Sequence, residues 1–261
     1  MATILVTGTS RGLGLELVRQ LLNLPDITVD KVFAVTRSKA TAGLQDLLDQ
    51  CPNRLTNVII EDLSDISLAN AASKQVEAVL KGRGLDILVN NAGTAVEYPK
   101  GVTSMTNREM LDVMQANVGS VHTMTRAFLP LLRQGWQKRV VNMSSALGSI
   151  SRHKSYQWAT TYSYKMSKAA MNMPTVQYAL EFDNEDFTFM ALSPGWTKTD
   201  MGGQDADIDL KPGVEAIKDA VLRDERADNG KFLCIRVPGW ETYEGMNQYD
   251  GLETIFSFRM L

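Results

Sequence analysis

Short apolar runs alternate with amphipathic segments along most of the chain. Runs rich in Val, Ile and Leu predict seven buried strands, and apolar residues at helical spacing predict helices between them. The predicted strands begin at Thr3 and then cover residues 31–37, 55–60, 85–89, 139–143, 187–192 and 231–236. Strands that alternate with helices indicate a parallel sheet covered on both faces. No linker interrupts the pattern, so we predict one α/β domain over residues 1–261.

Two of the predicted helices are long and contain a proline. Helical spacing covers about 107–133, with Pro130 inside it, and about 162–182, with Pro174 inside it. Proline lacks the backbone N–H that a helix interior uses, and its ring clashes with the preceding turn. We therefore expect Pro130 to end or bend the first helix and Pro174 to disturb the second.

Composition and charge narrow the range of partners. Apolar residues make up 44% of the 261 residues and charged residues 22%, the net charge is −3, and no Lys/Arg cluster forms a basic face. Nucleic acid is therefore not an expected partner. No apolar run approaches the roughly 20 residues that span a bilayer, and the N-terminus lacks the pattern of a signal peptide. We expect a cytoplasmic protein with no membrane contact.

Cysteine and histidine residues are too few to build a metal site or a disulfide framework. Cys51 and Cys234 stand alone in the sequence, and His122 and His153 lack metal-ligand spacing. We expect a reduced protein without a bound metal.

The segment from Thr7 to Gly14 joins the first predicted strand to a helix through a turn with three glycines. Strand, glycine turn and helix is the arrangement that places a dinucleotide pyrophosphate against a helix N-terminus. Gly8 can adopt the conformation of the tight turn, Gly12 lets the main chain approach the phosphates, and Gly14 lets the helix pack closely on the strand. A purely structural turn is the alternative, and the flanking strand and helix favour nucleotide binding.

Five further motifs follow the glycine turn in a fixed order. They are Asn90–Gly93 after the fourth strand, Asn117, Ser144–Ser145 after the fifth strand, Tyr164 with Lys168, and Pro194–Gly195 after the sixth strand. Together with the glycine turn, this order resembles the short-chain dehydrogenase/reductase family, and the match runs from Thr7 to about Met201. The resemblance implies a Rossmann-like, doubly wound sheet of seven parallel strands in the order 3-2-1-4-5-6-7, with helices on both faces.

Tyr164 and Lys168 also form a chemically plausible pair without the resemblance. They are four residues apart and therefore share one face of a helix. A nearby ammonium favours the phenolate, so we expect Lys168 to pull the tyrosine pKa from about 10 toward neutrality, where tyrosine exchanges protons usefully. For an isolated pair with this spacing, a buried tyrosine beside a surface lysine is the ordinary alternative.

The resemblance assigns a role to each member of a catalytic set. It implies that Tyr164 protonates the substrate carbonyl oxygen and that Lys168 depresses the tyrosine pKa and bonds the nicotinamide ribose. It implies that Ser145, with Ser144 as the alternative, holds the same oxygen and that Asn117 supports a water chain from Lys168. The interval from Ser145 to Tyr164 is longer than is usual in the family, and we expect residues 152–161 to bulge near the mouth of the active site.

The resemblance also predicts the cofactor contacts. The predicted set is Gly8, Ser10, Arg11, Gly12, Leu13, Gly14, Arg37, Asp62, Leu63, Asn91, Ala92, Gly93, Tyr164, Lys168, Pro194, Gly195, Thr197 and Thr199. The second strand ends in Thr36–Arg37, where NAD-preferring relatives carry an acidic residue for the adenosine ribose. Arg11 and Arg37 would suit the 2′-phosphate of NADP, so the predicted cofactor is NADP(H). Solvated surface arginines are the alternative.

The sequence indicates the substrate pocket less clearly than the cofactor contacts. Four residues could form an aromatic or apolar pocket or could simply pack: Tyr156, Trp158, Trp196 and Met201. The loop after the sixth strand also contains an acidic run, Asp205, Asp207 and Asp209, which is expected to be a solvated face.

The C-terminal part of the sequence suggests a branch of the family. Gly230–Phe232, Pro238–Trp240 and Asn247–Gly251 resemble the C-factor-like and sniffer-like carbonyl reductases, near fungal ketoreductases of the norsolorinic acid type. This implies NADPH-dependent reduction of a ketone or aldehyde, such as a secondary metabolite, to an alcohol, or the reverse. The alternatives are an NADP-binding pathway protein that catalyses a non-redox step, and a sensor or scaffold. The resemblance also implies a homo-oligomer in which the two long helices pair with their symmetry mates. An insertion before the tyrosine blocks that surface in some relatives, which is the alternative.

Overall fold

Seven strands pair in parallel in the computed structural model, which describes residues 1–223 and 226–253. The strands are β1 (Ala2–Thr7), β2 (Val29–Thr36), β3 (Leu55–Ile59), β4 (Ile87–Asn90), β5 (Arg139–Met143), β6 (Thr188–Ser193) and β7 (Phe232–Cys234). Their order is β3-β2-β1-β4-β5-β6-β7. The predicted fold class and strand order are confirmed. The predicted domain runs to residue 261, and residues 224, 225 and 254–261 lie outside the described part of the chain.

The last strand is shorter than its apolar run predicted. The prediction covered residues 231–236, whereas β7 ends at Cys234. Beyond this point the chain pairs with its own C-terminal segment, because Arg236 and Asp250 form an antiparallel bridge. The Cys234 N–H donates to the carbonyl of Leu252 in the same way. The Ile235 N–H still donates to Ser193 of β6, whereas the Val237 N–H donates to Tyr249, outside the parallel sheet.

The connections between the strands are helical. The helices are α1 (Gly12–Leu22), α2 (Ala42–Gln50), α3 (Ile66–Leu80), α4 (Asn107–Met114), α5 (Ser120–Gln134), α6 (Tyr162–Glu181) and α7 (Leu210–Leu222). One π-helical turn, Gln115–Gly119, joins α4 to α5 without a break. Among the described residues, no helix is long and apolar enough to cross a bilayer.

Neither proline ends its helix, so that part of the expectation is wrong. Helix α5 continues past Pro130 to Gln134, and α6 continues past Pro174 to Glu181. Pro130 lies on the exposed side of α5, where the carbonyl that loses its partner can bind solvent. The buried face of α5, with Phe128 and Leu131, packs on the sheet and holds the helix together across the proline.

The sheet is covered on both faces, as the strand pattern predicted. Successive side chains of β1 point to opposite sides, so Ile4 and Val6 join one core and Leu5 joins the other. The first core contains apolar residues of α1, α2 and α7, and the second contains those of α3, α5 and α6. The strand order reverses between β1 and β4, and ligands of open α/β sheets bind in the crevice at such a point.

Candidate active site

A cleft of about 490 Å³ opens at the carboxyl ends of the strands. Sixteen of the eighteen predicted cofactor residues line it: Gly8, Ser10, Arg11, Gly12, Leu13, Gly14, Arg37, Asp62, Leu63, Asn91, Ala92, Gly93, Tyr164, Lys168, Pro194 and Thr199. Gly195 and Thr197 are not in this lining. The cleft therefore extends from the glycine turn to the Tyr164–Lys168 pair.

Close backbone contacts require glycine at two positions of the glycine turn. A side chain at Gly14 would place its Cβ 2.3 Å from the carbonyl oxygen of Gly8, so only glycine lets α1 start this close to β1. Gly8 itself has a φ of 71° and lies against Ala92, whose Cα would be 2.8 Å from an added Cβ. The N-cap residue of α1, Arg11, makes no side-chain hydrogen bond to the helix N-terminus. The first N–H groups of α1 are thus available to an anion.

The segment after β4 is fastened to the glycine turn by hydrogen bonds. The Asn91 side-chain amide donates to the carbonyls of Thr7 at 2.8 Å and Gly8 at 3.2 Å. The Thr7 hydroxyl accepts from the backbone N–H groups of Asn91 and Ala92, each at 3.0 Å. Asn91 therefore holds the two walls of the cleft together.

Tyr164 and Lys168 face the cleft from the first turns of α6. The Lys168 ammonium nitrogen lies 5.4 Å from the centre of the Tyr164 ring and donates to the Met143 carbonyl at 2.6 Å. Both residues and Met143 line the same cleft. A proton donor and a cationic side chain are thus placed at one end of it.

The expected lowering of the tyrosine pKa is wrong for this structure. Burial raises the pKa of Tyr164, and the side-chain hydrogen bond with Ser145 lowers it by less. Burial also lowers the pKa of Lys168 to about 7, so its positive charge is itself disfavoured. Desolvation therefore outweighs the attraction that the four-residue spacing suggested, and Tyr164 keeps its proton at neutral pH.

The two adjacent serines occupy different environments. Ser144 is buried and its hydroxyl donates to the Asn172 side-chain oxygen at 2.7 Å. Ser145 is partly exposed, accepts from the Leu147 N–H at 3.2 Å, and hydrogen-bonds Tyr164. Ser144 lines the cleft, but its hydroxyl proton is given to Asn172, whereas the Ser145 side chain hydrogen-bonds Tyr164. This position favours Ser145 over Ser144 for the predicted role.

Asn117 lies in the π-helical turn between α4 and α5 and is fully buried. Its side-chain oxygen accepts from the Thr94 N–H at 2.8 Å, and its amide donates to the Thr94 carbonyl and to the Ser167 hydroxyl, each at 2.9 Å. Ser167 in turn donates to the Tyr164 carbonyl at 2.8 Å. Asn117 thus ties the loop after β4 to the helix turn that carries Tyr164. Its role in a water chain stays a prediction.

The charged residues at the far end of the cleft are solvent-exposed. Arg11 pairs with Asp200 at 2.6 Å across the cleft, and Arg37 stands exposed at the end of β2. Asp62 accepts from the Ser64 hydroxyl and N–H, and these hydrogen bonds lower its pKa. Asp62 and Leu63 follow β3 and line the same end.

The two predicted cofactor residues outside the lining have structural contacts. Gly195 has a φ of 69°, and an added Cβ would lie 2.5 Å from the ring of Tyr249. Thr197 is buried and its hydroxyl donates to the Pro194 carbonyl at 3.1 Å. The contacts of Gly195 and Thr197 with a cofactor stay a prediction.

Comparison with known proteins identifies the architecture. The chain matches the short chain dehydrogenase family over residues 2–208. It belongs to that family. It is 34% identical over 204 residues to the short-chain dehydrogenase/reductase AacuF of Aspergillus aculeatus, which covers 75% of this chain and 74% of that protein.

Two solved carbonyl reductases resemble this short chain dehydrogenase closely. The NADPH-bound carbonyl reductase from chicken fatty liver superimposes with a TM-score of 0.81 at 32% identity, covering 90% of this chain and 91% of that one. The carbonyl reductase Sniffer of D. melanogaster gives a TM-score of 0.82 at 33% identity, covering 90% and 96%. The similarity to both extends well beyond the glycine turn.

The loop after β6 contains a carboxylate whose hydrogen bonds were not predicted from the sequence. Asp207 accepts hydrogen bonds from Asn247 and Tyr249, each at 2.6 Å, and from Tyr243 at 3.2 Å. The Tyr249 hydroxyl also accepts from the Trp196 N–H at 3.3 Å. Asp207 is therefore not simply part of a solvated acidic run. It anchors residues 243–250, which we call the C-terminal strap.

The extra segment before α6 packs on the same strap. The Tyr156 side chain is buried and its hydroxyl donates to the Met246 carbonyl at 2.9 Å, so Tyr156 serves packing. Arg152 donates to the Met246 carbonyl at 2.7 Å and to the Gln248 side chain. Regular spacing does not reveal such contacts, because their partners lie some ninety residues apart.

Several further residues that line the cleft were not among the predicted cofactor contacts. The lining includes Val35, Thr36, Ile60, Glu61, Thr94, Ala116, Ser120, Met143, Ser144, Asp200 and Met201 in addition to the predicted set. Asp200 follows the Pro194–Thr199 motif, and Met143 and Ser144 end β5, so their positions at strand ends were the available signal. The described residues contain no cluster of His, Cys, Asp and Glu suited to a metal ion.

Proposed function

We propose that this short chain dehydrogenase reduces a small carbonyl compound to an alcohol with NADPH. One observation carries the proposal: Tyr164, whose pKa is raised by burial, and Lys168 line the same cleft as the glycine cradle, and the Ser145 side chain hydrogen-bonds Tyr164. A phosphate cradle alone would fit any nucleotide-binding protein, and a buried tyrosine alone would be packing. Their combination in one cleft supports an oxidoreductase.

The residues of the cleft fit NADP(H). A side chain at Gly14 would strike the turn, and an added Cβ at Gly12 would meet nothing closer than Thr199 at 3.8 Å, so the cradle is open where a pyrophosphate would lie. When bound, the cofactor supplies a hydride at the carbonyl carbon. Gly8 to Gly14 and the N-terminus of α1 would hold its pyrophosphate, and Lys168 would hold the ribose near the nicotinamide.

Arg11 and Arg37 support NADP(H) over NAD(H). Both line the adenosine end of the cleft and both are exposed, so they can turn toward a 2′-phosphate. Guanidinium groups bind phosphate through paired, charge-assisted hydrogen bonds. The NADPH-bound carbonyl reductase from chicken fatty liver and the NADP-bound dehydrogenase from Burkholderia multivorans support the same choice.

The chain's own residues perform the proton transfer. Ser145 and Tyr164 both donate to the carbonyl oxygen, which polarises the bond and orients the substrate. Tyr164 then releases its proton to that oxygen as negative charge develops. The protonated form of Lys168, which its pKa of about 7 leaves populated at and below neutrality, stabilises the phenolate that remains. Asn117 holds the helix turn of Tyr164 in place through Ser167.

The loss of NADPH absorbance with a panel of ketones, aldehydes and quinones tests this proposal. Tyr164→Phe removes only the hydroxyl, and we expect kcat to fall by about 10²–10⁴-fold. Tyr162→Phe, in the same helix turn, is the matched control and stays within about twofold of the wild type. Equal activity of Tyr164→Phe and wild type contradicts the role of the acid. Tight NADPH binding without turnover of any carbonyl favours a non-redox role or a sensor instead.

A helix stripe supports the expected homo-oligomer. Met166, Met173 and Leu180 recur every seven residues on α6 and are exposed. Residues at this spacing lie on one helix face, and a row of exposed apolar side chains favours association. A second copy of this chain is the proposed partner. Light scattering of the wild type and of Met173→Lys measures it, and a monomeric wild type contradicts the proposal.

A further inference from the structure

Aromatic and sulfur-containing side chains from three separate segments meet beside the cleft. Trp158 of the extra segment and Trp196 of the loop after β6 have ring centres 5.1 Å apart. The indole N–H of Trp158 donates to the sulfur of Met246 in the C-terminal strap at 3.0 Å. We call Trp158, Trp196 and Met246 the tryptophan cluster.

The three residues of the tryptophan cluster lie outside the lining of the cleft that contains Tyr164, and the loop that carries Trp196 joins them to it. Trp196 lies between Pro194 and Met201, and both of these line the cleft. The indole N–H of Trp196 donates to the Gly202 carbonyl at 2.7 Å, which folds the loop so that Met201 stands at the cleft edge. Trp158 lies six residues before Tyr164 and ends the segment that leads into α6.

Two residues of the cluster are exposed and Trp196 is half-buried, although their neighbours are buried. Trp158 is 51% exposed and Met246 36%, whereas Tyr156 and Tyr249 from the same two segments are almost completely buried. The packing of these segments is thus carried by the tyrosines. Exposed apolar patches of this kind mark binding surfaces more often than packing defects.

The chemistry of the cluster selects its ligand. The polar edges of both indoles are already engaged, Trp158 with Met246 and Trp196 with Gly202, so what remains is flat apolar surface. Aromatic faces bind other aromatic groups by offset or tilted stacking, and thioethers contact ring edges favourably. The surface offers no charge from its own three side chains, so it does not favour an anionic group.

We propose that the tryptophan cluster is a substrate subsite for the flat aromatic part of a carbonyl compound. This subsite proposal rests on the proposed function, since the carbonyl of such a substrate would reach Tyr164 and Ser145. Trp158 is a specificity-determining residue in this proposal, and Tyr164 remains the proton donor. The substrate class is therefore an aryl ketone or aryl aldehyde with a fused ring system.

The test compares 2-acetylnaphthalene with 2-butanone, both methyl ketones, under NADPH. We expect Trp158→Ala to lower kcat/KM for 2-acetylnaphthalene by about tenfold, mainly through KM, because a stacking contact is worth about that factor. The value for 2-butanone should stay within about twofold. Trp158→Phe should recover most of the loss, since it keeps an aromatic face. Trp136→Ala is the matched control, because Trp136 is 91% exposed and lies before the amino end of β5, whereas the cleft opens at the carboxyl ends of the strands.

Three results overturn the subsite. They are equal losses for both ketones, no loss for either, and a Trp158→Phe variant as poor as Trp158→Ala. If the wild type reduces no ketone, the proposed function fails, and the subsite is then tested by the dissociation constant of 2-acetylnaphthalene from calorimetry. A tenfold weaker constant in Trp158→Ala supports the subsite on its own, and an unchanged constant overturns it. A change in oligomeric state on Trp158→Ala, with unchanged kinetics, makes the cluster a subunit contact instead.

Discussion

The two sides of the cleft are built in different ways. On the cofactor side, the glycine turn, Asn91 and Arg37 each follow directly after a strand, and their positions result from strand ends that the sheet aligns. On the substrate side, Trp158, Asp207 and the C-terminal strap meet through side-chain contacts between segments far apart in sequence. The first side is a product of secondary structure, and the second is a product of tertiary packing. Substitutions should therefore act on them differently.

The largest expected effect is on the cofactor side, at Gly14. In Gly14→Ala, the added Cβ would lie 2.3 Å from the Gly8 carbonyl oxygen, so β1 and α1 must separate. We expect a loss of about 1–3 kcal/mol in the free energy of unfolding, the range for overpacking, and loss of measurable NADPH binding. Thermal unfolding and NADPH fluorescence titration measure the two effects.

Gly43→Ala provides the matched control for this clash. Gly43 lies in α2, where an added Cβ meets only the flexible end of Leu15 at 3.2 Å. Alanine favours helix over glycine by up to about 1 kcal/mol, so this variant should be neutral or more stable. Wild-type NADPH affinity in Gly14→Ala would show that the close approach of α1 is not what forms the cradle.

Tyr249→Phe tests whether the substrate side of the cleft can be changed separately from the cofactor side. It removes one hydroxyl that joins Trp196 to Asp207, and it leaves the Trp196 N–H and one carboxylate oxygen without that partner. Such losses cost about 1–3 kcal/mol in buried sites. We expect lower thermal stability together with a raised KM for the carbonyl substrate, while NADPH affinity stays near the wild-type value.

Tyr243→Phe is the control for that experiment, since Tyr243 donates to the same carboxylate but is exposed. It should change stability and KM little. If Tyr249→Phe weakened NADPH binding as strongly as substrate binding, the two sides of the cleft would not be separable.

The pH dependence of stability tests the buried lysine between the two sides. Burial lowers the pKa of Lys168 from 10.5 to about 7, so between these values the unfolded chain holds a proton that the folded chain has lost. Stability therefore rises with pH across this window, and the burial penalty is complete below about pH 7. The melting temperature of wild type should gain a few degrees over that of Lys168→Met between pH 6.5 and 9.5.

The exposed Lys39→Met variant serves as the reference for this pH series, and its melting temperature should run parallel to that of wild type. Parallel profiles for wild type and Lys168→Met would contradict the lowered pKa. They would mean that the ammonium of Lys168 stays charged beside Tyr164, as the four-residue spacing first suggested.

The smallest expected effect concerns Arg37, which is exposed. Arg37→Ala should raise the KM for NADPH by about tenfold and leave the KM for NADH unchanged, because a charge-assisted contact to one phosphate is lost. Arg108→Ala, an exposed arginine on α4 paired with Asp112, is the control. Equal changes with both cofactors would remove the proposed basis for selecting NADP.

The same contrast explains how much the sequence could predict. The strand order, the glycine turn and the helix that carries Tyr164 follow from local pattern and from motifs in register, and the structure agrees. The pKa of Tyr164 does not follow, because burial depends on the whole site and outweighs the charge of Lys168. Asp207 looked like part of a solvated run, because its three partners lie 36 to 42 residues away in sequence.

The π-helical turn at Gln115–Gly119 has a consequence for how this segment can vary. An α-helix advances about 100° per residue, so one additional residue within a turn rotates everything after it by about that angle. The buried faces of α4 and α5 are thus set to different phases, and Asn117 sits at the phase change. Removing one residue here would restore a regular helix and turn the core face of α5 away from the sheet. We therefore expect a deletion within this turn to disturb the packing of α5 more than a substitution at its exposed residue, Gln115.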